Sequence, residues 1–114
     1  MESPCPIKIL SGKLVKKEYS NYKDIYISYI NEGQKDIEGV KFKWYGETVF
    51  GEPADMGSYS EKGFGGGFTE DKLKAGKADN ATFEISSKDA KKIIKVWINE
   101  IAFSDGTKWK TKSN

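Results

Sequence analysis

Val40, Phe42 and Trp44 are separated by Lys41 and Lys43, and Phe83 and Ile85 by Glu84. A period of two puts apolar side chains on one face of an extended strand and polar ones on the other. The run Ile25-Tyr26-Ile27-Ser28-Tyr29-Ile30 is β-branched or aromatic at every position but one, the composition of a strand. The same reading predicts strands over residues 7–19, interrupted at Ser11-Gly12, and over 40–45, 81–86, 93–103 and 107–111. Between them lie clusters of Ser, Asn, Asp and Gly, at 20–24, 31–36, 87–90 and 104–106, whose side chains favour turns. No stretch carries a sustained helical period; residues 87–92 have room for a single helical turn and nothing longer.

About seven strands separated by turn signals predict an all-β chain, and roughly 100 residues suit a single immunoglobulin-like antiparallel β-sandwich. Its expected span is residues 6–111, with 1–5 and 112–114 as flexible tails. The expected core is Ile25, Ile27, Ile37, Val40, Phe42, Trp44, Phe83, Ile85, Val96, Ile98, Ile101, Phe103 and Trp109. The last hairpin can be read in register. A two-residue turn at Asp105-Gly106 scatters the apolar residues over both faces. A three-residue loop, Ser104-Asp105-Gly106, sets Trp109 opposite Ile101, Thr107 opposite Phe103 and Lys110 opposite Glu100. Ile101, Phe103 and Trp109 then share one face, and a one-residue slip would undo this. Upstream, Val96 and Ile98 have the opposite parity. A bulge near Asn99-Glu100 reconciles the two halves; a strand buried on both faces is the other reading.

Residues 51–77 differ in character. They hold seven of the chain's twelve glycines, including Gly63-Phe64-Gly65-Gly66-Gly67-Phe68. The composition predicts one long Gly-rich loop, with room for a short edge strand or helical turn near 69–73. Tyr59, Phe64 and Phe68 in this stretch either fold back to cap one end of the sandwich or form a lip for a sugar or peptide. Gly63–Phe68 lacks the Gly-Lys-Ser/Thr ending of a phosphate-binding loop.

The 114 residues include 19 basic and 17 acidic side chains, a net charge of +2, too balanced to predict a nucleic-acid partner. There is no histidine, which removes the commonest general base and metal ligand. The single cysteine, Cys5, excludes an internal disulfide and a cysteine-based zinc cluster; it is expected to be an exposed thiol near a frayed end. Asp55, Glu61, Glu70 and Asp71 lack the spacing of an EF-hand, and most other acids sit in turns. No catalytic residue, metal ligand or cofactor site is therefore expected, and the chain is read as a non-enzyme. No apolar run is long enough for a transmembrane helix.

Four segments, Ile25–Asn31 (IYISYIN), Lys35–Trp44 (KDIEGVKFKW), Phe50-Gly51-Glu52 and Ile98–Trp109 (INEIAFSDGTKW), resemble small immunoglobulin-like β-sandwich domains of bacterial secreted proteins and lipoproteins. Together they span about half the chain. The resemblance implies a bacterial extracytoplasmic domain, periplasmic or at the cell surface, without established chemistry. A signal-peptide pattern is absent, so this location goes with a trimmed mature chain, and a cytoplasmic one otherwise. A lipid anchor upstream of the chain is compatible with such domains.

The alternation also defines an outward face. If Val40, Phe42 and Trp44 point inward, Lys41, Lys43 and Tyr45 point outward. The same argument turns Lys95 and Trp97 outward on the strand 93–103, and Lys108 and Lys110 on the last strand. In a sandwich these strands are neighbours, so the seven residues form one candidate binding face. From Lys88 onward there are seven lysines and three acids. A tryptophan among lysines suits an anionic or ring-stacking partner, an acidic glycan or protein. The plainer reading is a solvated lysine face that protects the sheet, with Trp97 under lysine stems. The chain is expected to be a monomer that serves as a binding or adhesion module, or alternatively as a structural spacer or accessory domain of an envelope protein.

Overall fold

The computed structural model describes residues 4–58 and 61–111. Seven strands follow one another: β1 (Ile7–Lys16), β2 (Lys23–Asn31), β3 (Ile37–Glu47), β4 (Phe64–Thr69), β5 (Ala78–Ser87), β6 (Lys92–Phe103) and β7 (Lys108–Lys110). They form two antiparallel sheets, ordered β1-β2-β5 and β4-β3-β6-β7. No helix occurs among the described residues. The stretch 87–92, with room for a single helical turn, contains a bend instead, in which the Ser87 hydroxyl accepts the Ala90 amide at 3.1 Å and the Lys91 amide bonds the Glu47 carbonyl.

The sheets stack as a β-sandwich on the alternation described above. Ile25, Ile27 and Tyr29 of β2 are buried with Val40, Phe42 and Trp44 of β3 and Ile98 and Ile101 of β6. Phe83, Ile85, Val96, Phe103 and Trp109 pack against this cluster while partly exposed. Removing an Ile or Phe side chain of this size from water contributes about 1.5–3 kcal/mol, so a few such positions outweigh any single surface contact. Rings interlock across the two sheets: Tyr29 lies 5.0 Å from Phe42, and Phe83 lies 5.7 Å from Phe42 and 5.3 Å from Trp44.

The C-terminal hairpin has the register its apolar pattern requires. Ile101 pairs with Trp109 and Glu100 with Lys110, and Gly106 takes the left-handed φ of 88° that closes a three-residue loop. Opposite β3, the register shifts so that Lys41 pairs with Glu100 and Phe42 with Ile98. The extra residue, Asn99, is the bulge that reconciles the two halves of β6.

Residues 51–77 are not one loop. Phe64–Thr69 pairs with β3 without a register break, and Leu73 adds an isolated bridge to Ile37. The glycines that read as loop composition have a packing role in this strand. A Cβ on Gly65 would fall 2.4 Å from Trp44 Nε1, and one on Gly67 would fall 2.5 Å from the Phe83 ring. Only glycine lets β4 lie over these rings. The preceding segment is also ordered against the core: Ala54 and Met56 are buried, and Trp44 Nε1 donates to the Met56 carbonyl at 3.3 Å.

Cys5 is half-buried against the core cluster, and its thiol donates to the Ile7 carbonyl at 3.4 Å. It is not the exposed thiol expected, because the chain entering β1 packs down beside Ile7. Burial pushes the thiol above its ordinary value. Of the rest of the expected tails, Pro4 is exposed, and residues 1–3 and 112–114 lie outside the described residues.

Candidate functional site

The outward face of the sheet β4-β3-β6-β7 is laid out in cross-strand rows. Phe64, Tyr45 and Lys95 occupy one row, and Gly66, Lys43 and Trp97 the next. Phe68, Lys41, Glu100 and Lys110 form the third, and Ala102 and Lys108 extend the far end. All seven residues of the expected face therefore share it: Lys41, Lys43, Tyr45, Lys95, Trp97, Lys108 and Lys110. Two of the three aromatics read either as a cap or as a lip stand on this same face. Phe64 and Phe68 lie on β4 and point the same way as the lysines, because Gly65 and Gly67 take the inward positions; Tyr59 lies outside the described residues.

The aromatic residues form a connected strip. Tyr45 and Phe64 have ring centroids 4.8 Å apart, and the Phe64 ring meets Trp97 edge-on at 6.4 Å. Lys95 Nζ sits 5.3 Å from the Trp97 ring centroid, a cation–π placement. Trp97 is thus half-buried by neighbours on its own face, whereas Phe68 at the third row remains 62% exposed. Tyr45 is anchored at its tip, where its hydroxyl donates to Glu47 Oε2 at 3.3 Å. Partial burial, together with the Glu47 carboxylate, raises its pKa above the ordinary tyrosine value.

The lysines are not equivalent. Lys41 pairs with Glu100 at 3.2 Å and Lys108 approaches the same carboxylate at 4.0 Å. The Lys41 hydrogen bond leads the contacts that hold the Glu100 carboxyl below its ordinary value. One acid thus serves three of the five lysines, since Lys110 stands opposite it on β7 and also stabilises its charge; Lys43 and Lys95 lie in the rows away from it. Between Phe68, Lys41, Glu100, Ala102 and Lys108 lies an open depression of about 330 Å³. Its floor is low because Gly39 and Ala102 stand where larger side chains would fill it.

Among the described residues, no three acids or cysteines converge as metal ligands, and no helix is long and apolar enough to cross a membrane. Of the acids in the 51–77 stretch, Asp55 accepts the Gly57 amide, and Glu70 borders the depression beside β4.

No protein-family model matches the chain, and no curated protein matches its sequence. Its fold is similar to that of a hypothetical protein from Peptoclostridium difficile 630, solved by X-ray crystallography at 1.85 Å. The TM-score is 0.70 at 12% identity, over 96% of this chain and 88% of the other. At that identity the likeness establishes a shared fold and carries no residue roles.

Proposed function

We propose that the chain is a non-catalytic binding module of immunoglobulin-like topology, acting outside the cytoplasm, that receives an anionic partner on the outward face of the sheet β4-β3-β6-β7. The strand order of the two sheets supports the topology. The observation that carries the binding reading is the strip Tyr45–Phe64–Trp97 with Lys43 and Lys95 interleaved in the same rows. Aromatic faces offer apolar contact at low entropy cost, and adjacent ammonium groups supply charge recognition. An acidic glycan fits both terms, its apolar sugar faces on the rings and its carboxylate or sulfate groups on the lysines.

The test uses sulfated and uronic-acid oligosaccharides of defined length, titrated into the protein at low salt while tryptophan fluorescence and amide chemical shifts are followed. Shifts confined to β3, β4 and β6, lost in Trp97→Ala and in Lys43→Glu/Lys95→Glu and weakened by salt, support the reading. Absence of binding to any of these probes at millimolar concentration removes it and favours the spacer role.

A further inference from the structure

A sheet edge exposes unpaired backbone groups, and three of the four edges here carry features that discourage pairing. The β1 edge has the exposed Lys8, Lys13 and Lys16 and a register break between Ile9 and Ser11. The β5 edge carries Asp79 and Glu84 and ends at a bulge, where Ser86 has a φ of 49° and the Ile85 and Ser86 amides are taken by Asp24. The β7 edge is three residues long with lysine at both ends. β4 differs on every count: Phe64–Thr69 contains no charge, no proline and no bulge.

Its backbone groups point outward in a definite pattern. The Gly46 amide bonds the Gly63 carbonyl, so with strict antiparallel alternation Gly65, Gly67 and Thr69 bond β3, while Phe64, Gly66 and Phe68 aim their amides and carbonyls away from it. The Phe64 amide is taken by the Glu61 carbonyl at 3.2 Å. The outward groups of Gly66 and Phe68 and the Phe64 carbonyl meet no backbone partner among the described residues.

The sequence of this edge, Phe64-Gly65-Gly66-Gly67-Phe68, is a palindrome about Gly66, and Gly66 is one of the outward-bonding residues. We infer that β4 pairs antiparallel with β4 of a second copy of this chain about a two-fold axis at Gly66. An isologous contact centred on a residue needs that residue's amide and carbonyl both available, and Gly66 meets this; the palindrome adds that the two phenylalanines then stand opposite each other. Gly66 exchanges two hydrogen bonds with its symmetry mate, and each Phe68 amide donates to the opposing Phe64 carbonyl. Phe68 of one copy lies beside Phe64 of the other, on the outward face. The phenylalanine left 62% exposed in the single chain thereby joins the partner's Tyr45–Phe64–Trp97 strip, and the two four-stranded sheets become one continuous sheet.

Sedimentation velocity from micromolar to near-millimolar concentration tests this. A reversible monomer–dimer equilibrium is expected, with hydrogen exchange at the Gly66 and Phe68 amides slowing as concentration rises. Phe68→Lys places a charge on an exposed position, so the fold is kept, and should weaken the dimer by about tenfold or more. Leu10→Lys, on the exposed β1 edge, should leave association unchanged. A chain that stays monomeric throughout, a dimer indifferent to Phe68→Lys, or exchange at Gly66 independent of concentration overturns the proposal. The exchange measurement on the unmodified chain decides the matter even if the Phe68→Lys variant fails to fold.

Discussion

Asp24 is the acid whose removal should cost this fold most. It is buried at the start of β2, opposite the point where the pairing with β5 shifts between Lys23 and Ile25. That shift leaves the Ile85 and Ser86 amides without a ladder acceptor, and Asp24 Oδ1 takes both, at 3.0 and 3.1 Å. Oδ2 pairs with Lys17 at 3.1 Å. In Asp24→Ala two partly buried amides lose their acceptor, at about 1–1.5 kcal/mol each. The ion pair adds about 0.5 kcal/mol, since Lys17 also reaches Glu84. The sum is about 3 kcal/mol. Asp24→Asn keeps an oxygen for the amides and should cost about 1 kcal/mol. Thermal denaturation followed by circular dichroism should show melting lowered by about 12 °C and 4 °C respectively.

The acid dependence sharpens the test. Burial alone would raise the Asp24 pKa, but the Ser86 amide, Lys17 and the Ile85 amide together bring it below the ordinary 3.8. The corresponding stability is present above about pH 4 and is lost as pH falls through the folded-state pKa. A protonated Asp24 resembles asparagine, so in acid the wild type should lose its advantage over Asp24→Asn while keeping its advantage over Asp24→Ala. Equal destabilisation of the two variants at pH 7, or a gap to Asp24→Asn that survives in acid, refutes this account.

Gly67→Ala drives a Cβ to within 2.5 Å of the Phe83 ring and should cost about 2 kcal/mol in urea denaturation; unchanged stability would show that β4 does not lie over that ring. Trp109 is only partly buried beside Ile101, so Trp109→Ala should cost about 2 kcal/mol, less than a fully buried tryptophan. A loss below about 0.5 kcal/mol would count against the hairpin register.

The parts of the fold legible in the sequence are those where side-chain parity is decided locally. Ile101, Phe103 and Trp109 select the three-residue loop, because one slipped residue inverts every side chain; the clash of parity with Ile98 leaves a bulge near Asn99-Glu100 or a strand buried on both faces, and the register opposite β3 has the bulge. The candidate face follows from the same alternation on β3 and β6. β4 was not legible. Its inward positions are glycine, so the strand shows no apolar alternation, and the reason for those glycines lies in Trp44 and Phe83, distant in the chain. Asp24 and Asn31 were hidden for a related reason: they stand in turn-rich stretches, where polar residues are ordinarily solvated. Asn31 is instead fully buried, its side-chain amide donating to the Lys35 and Leu73 carbonyls. Leu73 for Asn31, and Ile85 and Ser86 for Asp24, sit on segments no local pattern brings together.

The Gly-Phe alternation of β4 ties the core, the face and the edge to one another. Inward glycines at 65 and 67 are imposed by Trp44 and Phe83, so along that stretch β4 contributes no core side chain and holds its place through backbone pairing with β3 and contacts on its outward side. Phe64, wedged between Tyr45 and Trp97, supplies that outward contact; Phe68, one row of glycine further on, meets no comparable pair of rings. A lysine at position 68 would shield the edge as lysines shield β1 and β7, yet it would also remove the one large apolar side chain at that end of the strand. The exposed phenylalanine follows from neither core packing nor edge protection. Contact with a partner strand accounts for it, because pairing covers the ring and satisfies the outward amides in the same step.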